Sequence, residues 1–378
     1  MKINKTYVSF FFIAWALLMA VSVIIALRTT DKTLCRYYDE KIEASTLANR
    51  AFEAIYQYKI DNGIEISKDD INNTGLIGDR FSSITTTIGI LEAKRTSTNP
   101  NFAAVIIDML KEANVKKGDE VGVVFSSSFP ALNIDVLAVI EAFELKACIM
   151  GSIGASSFGA NNPNFTFYDM SEYLYEKGIF SSRINLVSLG GAYDIGDDFS
   201  NDEDKENIIN RIKAHGADYL YEENYVKNIE YRRKYFYEKV PNMKILINVG
   251  GNLVSMGKDE CAFLNHNGLV MANYYGSKHN KNISKKGLME YYLEDGVNVI
   301  HMLNIKSLAL KYGLPYDPMN KVEIGKGEVY YEIKYDLTIP IIALILSVIA
   351  LGSYYVYRKK LEKKVIIWKK KYFLLRMM

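Results

Sequence analysis

The chain has 378 residues, room for one large domain or two modest ones, and its formal net charge of +2 hides basic ends around an acidic middle. Residues 1–7 and 358–378 hold eleven Lys or Arg and one acid, which leaves 35 basic against 43 acidic side chains between them. That middle, about −8 in charge, repels polyanions and argues against a nucleic-acid partner, while three cysteines, Cys35, Cys148 and Cys261, allow at most one disulfide and match no zinc-site spacing.

Residues 8–27 form a twenty-residue run without a charge, and residues 337–357 a second of twenty-one. At 1.5 Å per residue each is about 30 Å long as a helix, the thickness of a bilayer's hydrocarbon core. No small-x-small cleavage site follows the first, which therefore reads as an uncleaved anchor. Lys2 and Lys5 before the first span, and nine Lys or Arg after the second, place both termini in the cytoplasm and residues 28–336 outside it. Within the 358–378 tail, Leu361, Val365, Trp368, Tyr372 and Leu375 form an apolar stripe on a basic helix, suited to an anionic leaflet or a partner subunit.

In the outer region, residues 39–60 read as a helix with Ile42, Leu47, Ala51, Phe52 and Ile55 near one face. A second helix is expected from Asn99 as N-cap and Pro100 as first residue, with Phe102, Val105, Ile106, Met109, Leu110 and Ala113 as its stripe. Residues 120–125 then read as a strand, 131–145 as a helix and 147–151 as a buried strand, a βαβ unit. The alternation continues through helix 169–177, strand 184–189, helices 202–215 and 223–239, strand 244–249, strand 297–303 and helix 305–312. The expected fold is α/β, a doubly wound, mostly parallel sheet forming an ectodomain between two transmembrane helices.

Four expected strand ends open into loops rich in Ser, Gly and Asn: SSSFPALN from Ser126, GSIGASSFGANNPN from Gly151, SLGGAYDIGDD from Ser188 and NVGGNLVSMG from Asn248. Ligands of open α/β sheets bind beyond the carboxyl ends of strands, so these loops share one rim, where serine hydroxyls and free backbone N–H groups favour a carboxylate or phosphate. The candidate ligand-binding residues are Ser126, Ser127, Ser128, Asn133, Gly190, Gly191, Gly250 and Gly251, joined by Lys94, Arg95 and Thr96 as a basic pair amid hydroxyls. The plainer alternatives are that the serines cap the helix opening at Pro130, that the glycines only permit left-handed turns, and that the basic pair is solvated. Ser126, Ser127, Ser128, Ser156 and Ser157 are candidate nucleophiles, with His301 as the histidine nearest a strand end, although no G-x-S-x-G elbow is present. Neither a dinucleotide nor a phosphate-loop motif occurs, and no cofactor or metal is expected.

Four phrases, ITTTIGILEAKRTSTNPNFAA (84–104), SSSFPALN (126–133), GASSFGANNPNFTFYDM (154–170) and HMLNIKSLALKYGLPYDP (301–318), resemble the poly-γ-glutamate system protein family, membrane components found with the machinery of poly-γ-glutamate capsules. With the segments between them they span about two-thirds of the chain. Ser126-Ser127-Ser128 stands where the family pattern leads one to expect S-G-S. The resemblance implies an accessory role in making, exporting or anchoring poly-γ-glutamate beside other synthesis or export subunits, and it carries no catalytic residues. The rim would then bind a γ-glutamyl polymer or its chain end. Two rivals stand beside this expectation: a serine-dependent γ-glutamyl hydrolase or transferase of the cell envelope, and a structural envelope protein without a ligand.

Overall fold

The computed structural model describes residues 5–258, 266–275 and 283–377; Cys261 and His279 lie outside them. The chain divides into two compact units, residues 35–330 and a second formed by residues 1–34 with 331–378.

In chain order the elements are α1 (Lys5–Arg28), β1 (Thr30–Leu34), α2 (Tyr38–Asp61), β2 (Thr85–Thr87), α3 (Leu91–Ser97), α4 (Phe102–Glu112), β3 (Glu120–Ser126), α5 (Pro130–Ala142), β4 (Lys146–Ser152), β5 (Ala155–Ser156) and α6 (Phe167–Glu176). There follow β6 (Leu186–Ser188), α7 (Asp202–His215), β7 (Asp218–Tyr219), α8 (Tyr225–Lys239), β8 (Ile245–Val249), α9 (Leu253–Met256), β9 (Gly268–Val270), α10 (Ala272–Tyr275), α11 (Leu288–Glu294), β10 (Asn298–Met302), α12 (Ile305–Lys311), β11 (Tyr331–Tyr335) and α13 (Thr338–Met377).

The larger unit is a mixed α/β body around a seven-stranded sheet of order β7-β6-β4-β3-β8-β10-β9, parallel except for the edge strand β9. Its central strands are near-continuous apolar runs because both faces are covered. On one face Val124, Met150, Leu246 and Val299 pack with Phe236 of α8 and Leu288 and Tyr292 of α11. Against β3 lies α5, apolar all round and in turn packed on α2 and α4. Each βα loop therefore emerges at the same edge of the sheet. Starting from β3, the chain adds β4, β6 and β7 outward on one side, then returns to place β8 and β10 on the other. The order reverses between β3 and β8, so their carboxyl ends border the switch-point crevice.

Two expectations need correction. The residues before α4 are not a simple helix start. A short helix, α3, occupies the LEAKRTS segment, and α4 begins at Phe102 with Asn101 as N-cap, because Asn99 accepts from the Asn101 N–H in the turn between them. The three serines do not cap α5 through their side chains: its N-cap is Phe129, with Pro130 at the first turn. The second apolar run and the basic tail form one continuous helix. One forty-residue helix runs to Met377, since no Pro or Gly follows Gly352 and Arg358 pairs with Glu362 one turn on at 3.1 Å. The side chains of Trp368, Tyr372 and Leu375 lie outside the described residues.

The smaller unit pairs β1 antiparallel with β11, Thr30 facing Tyr335 and Leu34 facing Tyr331. Its two helices pack on each other: Trp15 Nε1 donates to Ser347 Oγ at 2.5 Å, and the Phe12 and Tyr354 rings meet edge to face. Two membrane spans were expected. Among the described residues one helix, Thr338–Ile367, is long and apolar enough to cross a bilayer, and Phe12–Arg28 is the apolar part of α1 whose side chains are described. Ile341, Leu344, Ile345, Leu346 and Val348 of α13 are exposed, the opposite of a soluble core helix. Cys35 and Cys148 are free, buried thiols.

Candidate functional site

The loop after β3 is held from all sides. Asn133 of α5 donates through Nδ2 to the Ser126 carbonyl at 3.0 Å, and Ser127 Oγ donates to the Ser152 carbonyl at 2.7 Å. Ser127 is thus a strut between β3 and β4. Ser126 Oγ donates to Ser128 Oγ at 3.0 Å and accepts from the Ser128 N–H at 3.2 Å. Ser128 is the half-buried member of the three and faces the next loop, accepting from the Ser156 N–H at 3.0 Å.

That next loop folds back over the first. The Ala160 N–H donates to the Ser127 carbonyl at 2.9 Å, and a Cβ on Gly159 would lie 2.9 Å from Ser128 Cα, so only glycine allows the approach. The short strand β5 at its start pairs in parallel with β2, placing Thr87 opposite Ser156. Ser157 Oγ turns away, toward the Thr87 carbonyl at 3.5 Å.

Lys94 of α3 reaches into this junction. Its Nζ donates to the Ser128 carbonyl and to Ser156 Oγ, the latter at 2.7 Å, and lies 3.7 Å from the centroid of the Phe129 ring. The side chain is buried, and no carboxylate among the described residues pairs with it. Burial pushes its ammonium down to about 7, against the modest opposing attraction of the ring face. Arg95, its neighbour in sequence, points elsewhere and holds Asp317 in a bidentate pair at 2.6 and 2.7 Å. Thr96 Oγ1 donates to the Glu92 carbonyl and accepts from the Asp317 N–H at 2.8 Å. The basic pair is therefore split: one cation buried, one neutralised.

The glycine loops border the same rim. Gly250, at φ 87°, follows β8, and a Cβ there would come within 2.8 Å of Ser126 Cβ, so the two loops touch across the switch point. Gly251 lies beside Leu303 and Met256. Gly190, at φ 76°, packs against Ser152, and Gly191 lies against the Asp198 carboxylate.

His301 is not with the serines. It sits inside β10, fully buried, with Nδ1 2.9 Å from Asn248 Nδ2 on the adjacent strand. Burial, with His266 adding a smaller push, lowers its imidazole to about 4, so it stays neutral in the fold. Its ordinary value is 6.5, which fixes the sign: the stability tied to neutral His301 is complete above 6.5 and is lost as pH falls toward 4, at about 1.4 kcal/mol per pH unit. The difference in thermal midpoint between the wild type and His301→Gln is expected to shrink across that window, and a constant difference from pH 7 to pH 4 would contradict it.

The contacts between Lys94, Ser128 and Ser156 escape a linear reading, because 34 and 62 residues separate the partners. Comparison with known protein families, curated proteins and solved structures found no match.

Proposed function

We propose that this chain is a membrane-held accessory component of the synthesis, export or anchoring of poly-γ-glutamate, working beside other subunits of that machinery, and that its rim binds an acidic γ-glutamyl group. Lys94 is the observation that carries the reading. A buried amine without a carboxylate partner among the described residues, at a rim of serine hydroxyls, regains its full charge when an anionic group binds beside it. The convergence of the four family-like phrases supports it. The first phrase contains Lys94 and Arg95, which contact Ser128 and Phe129 of the second, Ser156 of the third and Asp317 of the fourth.

The reading places the 28–336 region outside the cytoplasmic membrane. The exposed apolar surface of α13 suits a span, and its basic continuation belongs on the cytoplasmic side. A second span by α1 is consistent with its packing along α13, which brings both chain ends to one side.

Cells lacking the gene are expected to lose surface γ-glutamyl polymer or to make chains of altered length. The wild-type gene restores both and a Lys94→Met gene does not. Unchanged polymer amount and length in the deletion strain would overturn the function.

A further inference from the structure

Four lysines are buried among the described residues, and three of them have acidic company. Lys41 pairs with Asp108 at 2.6 Å, Lys286 with Glu294 at 2.6 Å, and Lys59 feels Asp70 and Asp79. Lys94 instead meets a hydroxyl, a carbonyl and an aromatic ring. A bridge between a carbonyl and a serine needs no charge, and a neutral amide would serve without desolvating an ammonium. What a buried amine supplies that an amide does not is basicity.

We propose that Ser156 and Lys94 are a nucleophile and general base for acyl transfer, cleaving or transferring amide-linked acyl groups at the rim. The proposal rests on the rim site described above but not on the identity of the polymer. The two groups are in hydrogen-bond contact at 2.7 Å, the reach required for proton transfer. Phe129 walls the amine from water, and Ser128 fixes both partners, its carbonyl on Lys94 Nζ and its hydroxyl on the Ser156 N–H. Burial leaves a large fraction of Lys94 neutral near pH 7, the form able to accept a proton.

The step balances without a cofactor. Neutral Lys94 takes the Ser156 hydroxyl proton as Oγ bonds to the carbonyl carbon. The tetrahedral adduct collapses, the C–N bond breaks, and the Lys94 ammonium returns its proton to the leaving amine. Water or an acceptor amine then adds to the Ser156 ester and gives its proton to Lys94. As the ester C–O bond breaks, that proton passes to Ser156 Oγ, and both side chains are restored.

The segment before α3 covers the pair. A Cβ on Gly89 would lie 3.1 Å from Ser156 Oγ, 3.1 Å from Lys94 Cε and 2.3 Å from the Ser157 carbonyl oxygen, so glycine lets this backbone close directly over the pair. Ile88 and Ile90 on either side of it are 86% and 64% exposed, an apolar surface over the pair. Ser157, bonded toward Thr87, is the internal control.

The test is labelling of the full-length, detergent-solubilised protein with a fluorophosphonate, which loses fluoride as an activated serine oxygen bonds to phosphorus. One label is expected on Ser156, located by peptide mass spectrometry, with a rate that falls as pH drops below about 7. Ser156→Ala is expected to remove it, Lys94→Met to slow it by about 10²-fold or more, and Ser157→Ala to leave it. A thermal melt of each variant separates lost reactivity from lost fold. An unlabelled wild type, or labelling at an undiminished rate in folded Lys94→Met, overturns the proposal. Labelling without any polymer phenotype would sink only the poly-γ-glutamate function, and a polymer phenotype without labelling would sink only the catalytic pair.

Discussion

Replacing Lys94 by Met is expected to make the protein more stable at pH 7, by about 3 kcal/mol, while removing what the rim does. The native amine sits at about 7 against an ordinary 10.5. A base whose folded pKa is depressed contributes its full stability only above the unfolded value. That contribution is lost as pH falls from 10.5 to about 7, at about 1.4 kcal/mol per unit. The total is about 5 kcal/mol, and Met of similar volume escapes it. Met in turn forfeits the hydrogen bonds to Ser128 and Ser156, which offset about 1–2 kcal/mol. The checking measurement is the stability difference between variant and wild type from pH 9 down to pH 6. It should widen toward pH 7 and then level. A difference that is flat with pH, or a variant less stable than wild type throughout, would mean that Lys94 is charged and structural. Proteins retain such destabilising groups chiefly where function requires them.

The sheet was readable in the chain because burial on both faces leaves a plain mark. β3, β4, β8 and β10 are short apolar runs, the first three leading into Ser- and Gly-rich loops, and each lies within a few residues of its expected place. Less visible were elements whose partners are remote. β1 (TDKTL) and β11 (YEIKY) carry charges and pair across about 300 residues of sequence. β9 is three residues long and runs against the rest of the sheet, with nothing in Gly-Leu-Val to announce it. The shared rim followed from strand order, but the division of labour on it did not. Consecutive residues on a helix point about 100° apart, so Lys94 and Arg95 cannot face one site once α3 forms. The three serines likewise read as equivalent, although Ser127 is a strut, Ser126 a brace and Ser128 the group that meets Lys94. His301 drew attention as a histidine near a strand end. The register that sets it opposite Asn248 inside the sheet is fixed by pairings invisible to a local pattern.

The third rim loop, 190–198, carries the other large expectation, because a buried ion pair holds it. Asp194, at φ 66°, accepts from Ser188 Oγ at 2.7 Å, Asn228 Nδ2 at 3.0 Å and Arg232 Nη2 at 2.6 Å. Arg232, almost wholly buried on α8, also donates through Nε to Asn228 Oδ1 at 2.8 Å. Truncating Arg232 to Ala leaves a desolvated carboxylate without its cation, which costs about 3–5 kcal/mol, a drop on the order of 10 °C in thermal midpoint. Removing both charges together, as Arg232→Met with Asp194→Asn, is expected to recover a good part of that loss, since the cost lies in the stranded charge more than in the absent bond. A double variant no more stable than Arg232→Ala would show that packing around the guanidinium matters more than its charge. The two expectations have opposite signs for one physical reason. Arg232 is buried with its counter-charge and its removal harms the fold, whereas Lys94 is buried without one and its removal relieves it. Of the two cations placed behind the rim loops, only Lys94 is left with chemistry to do.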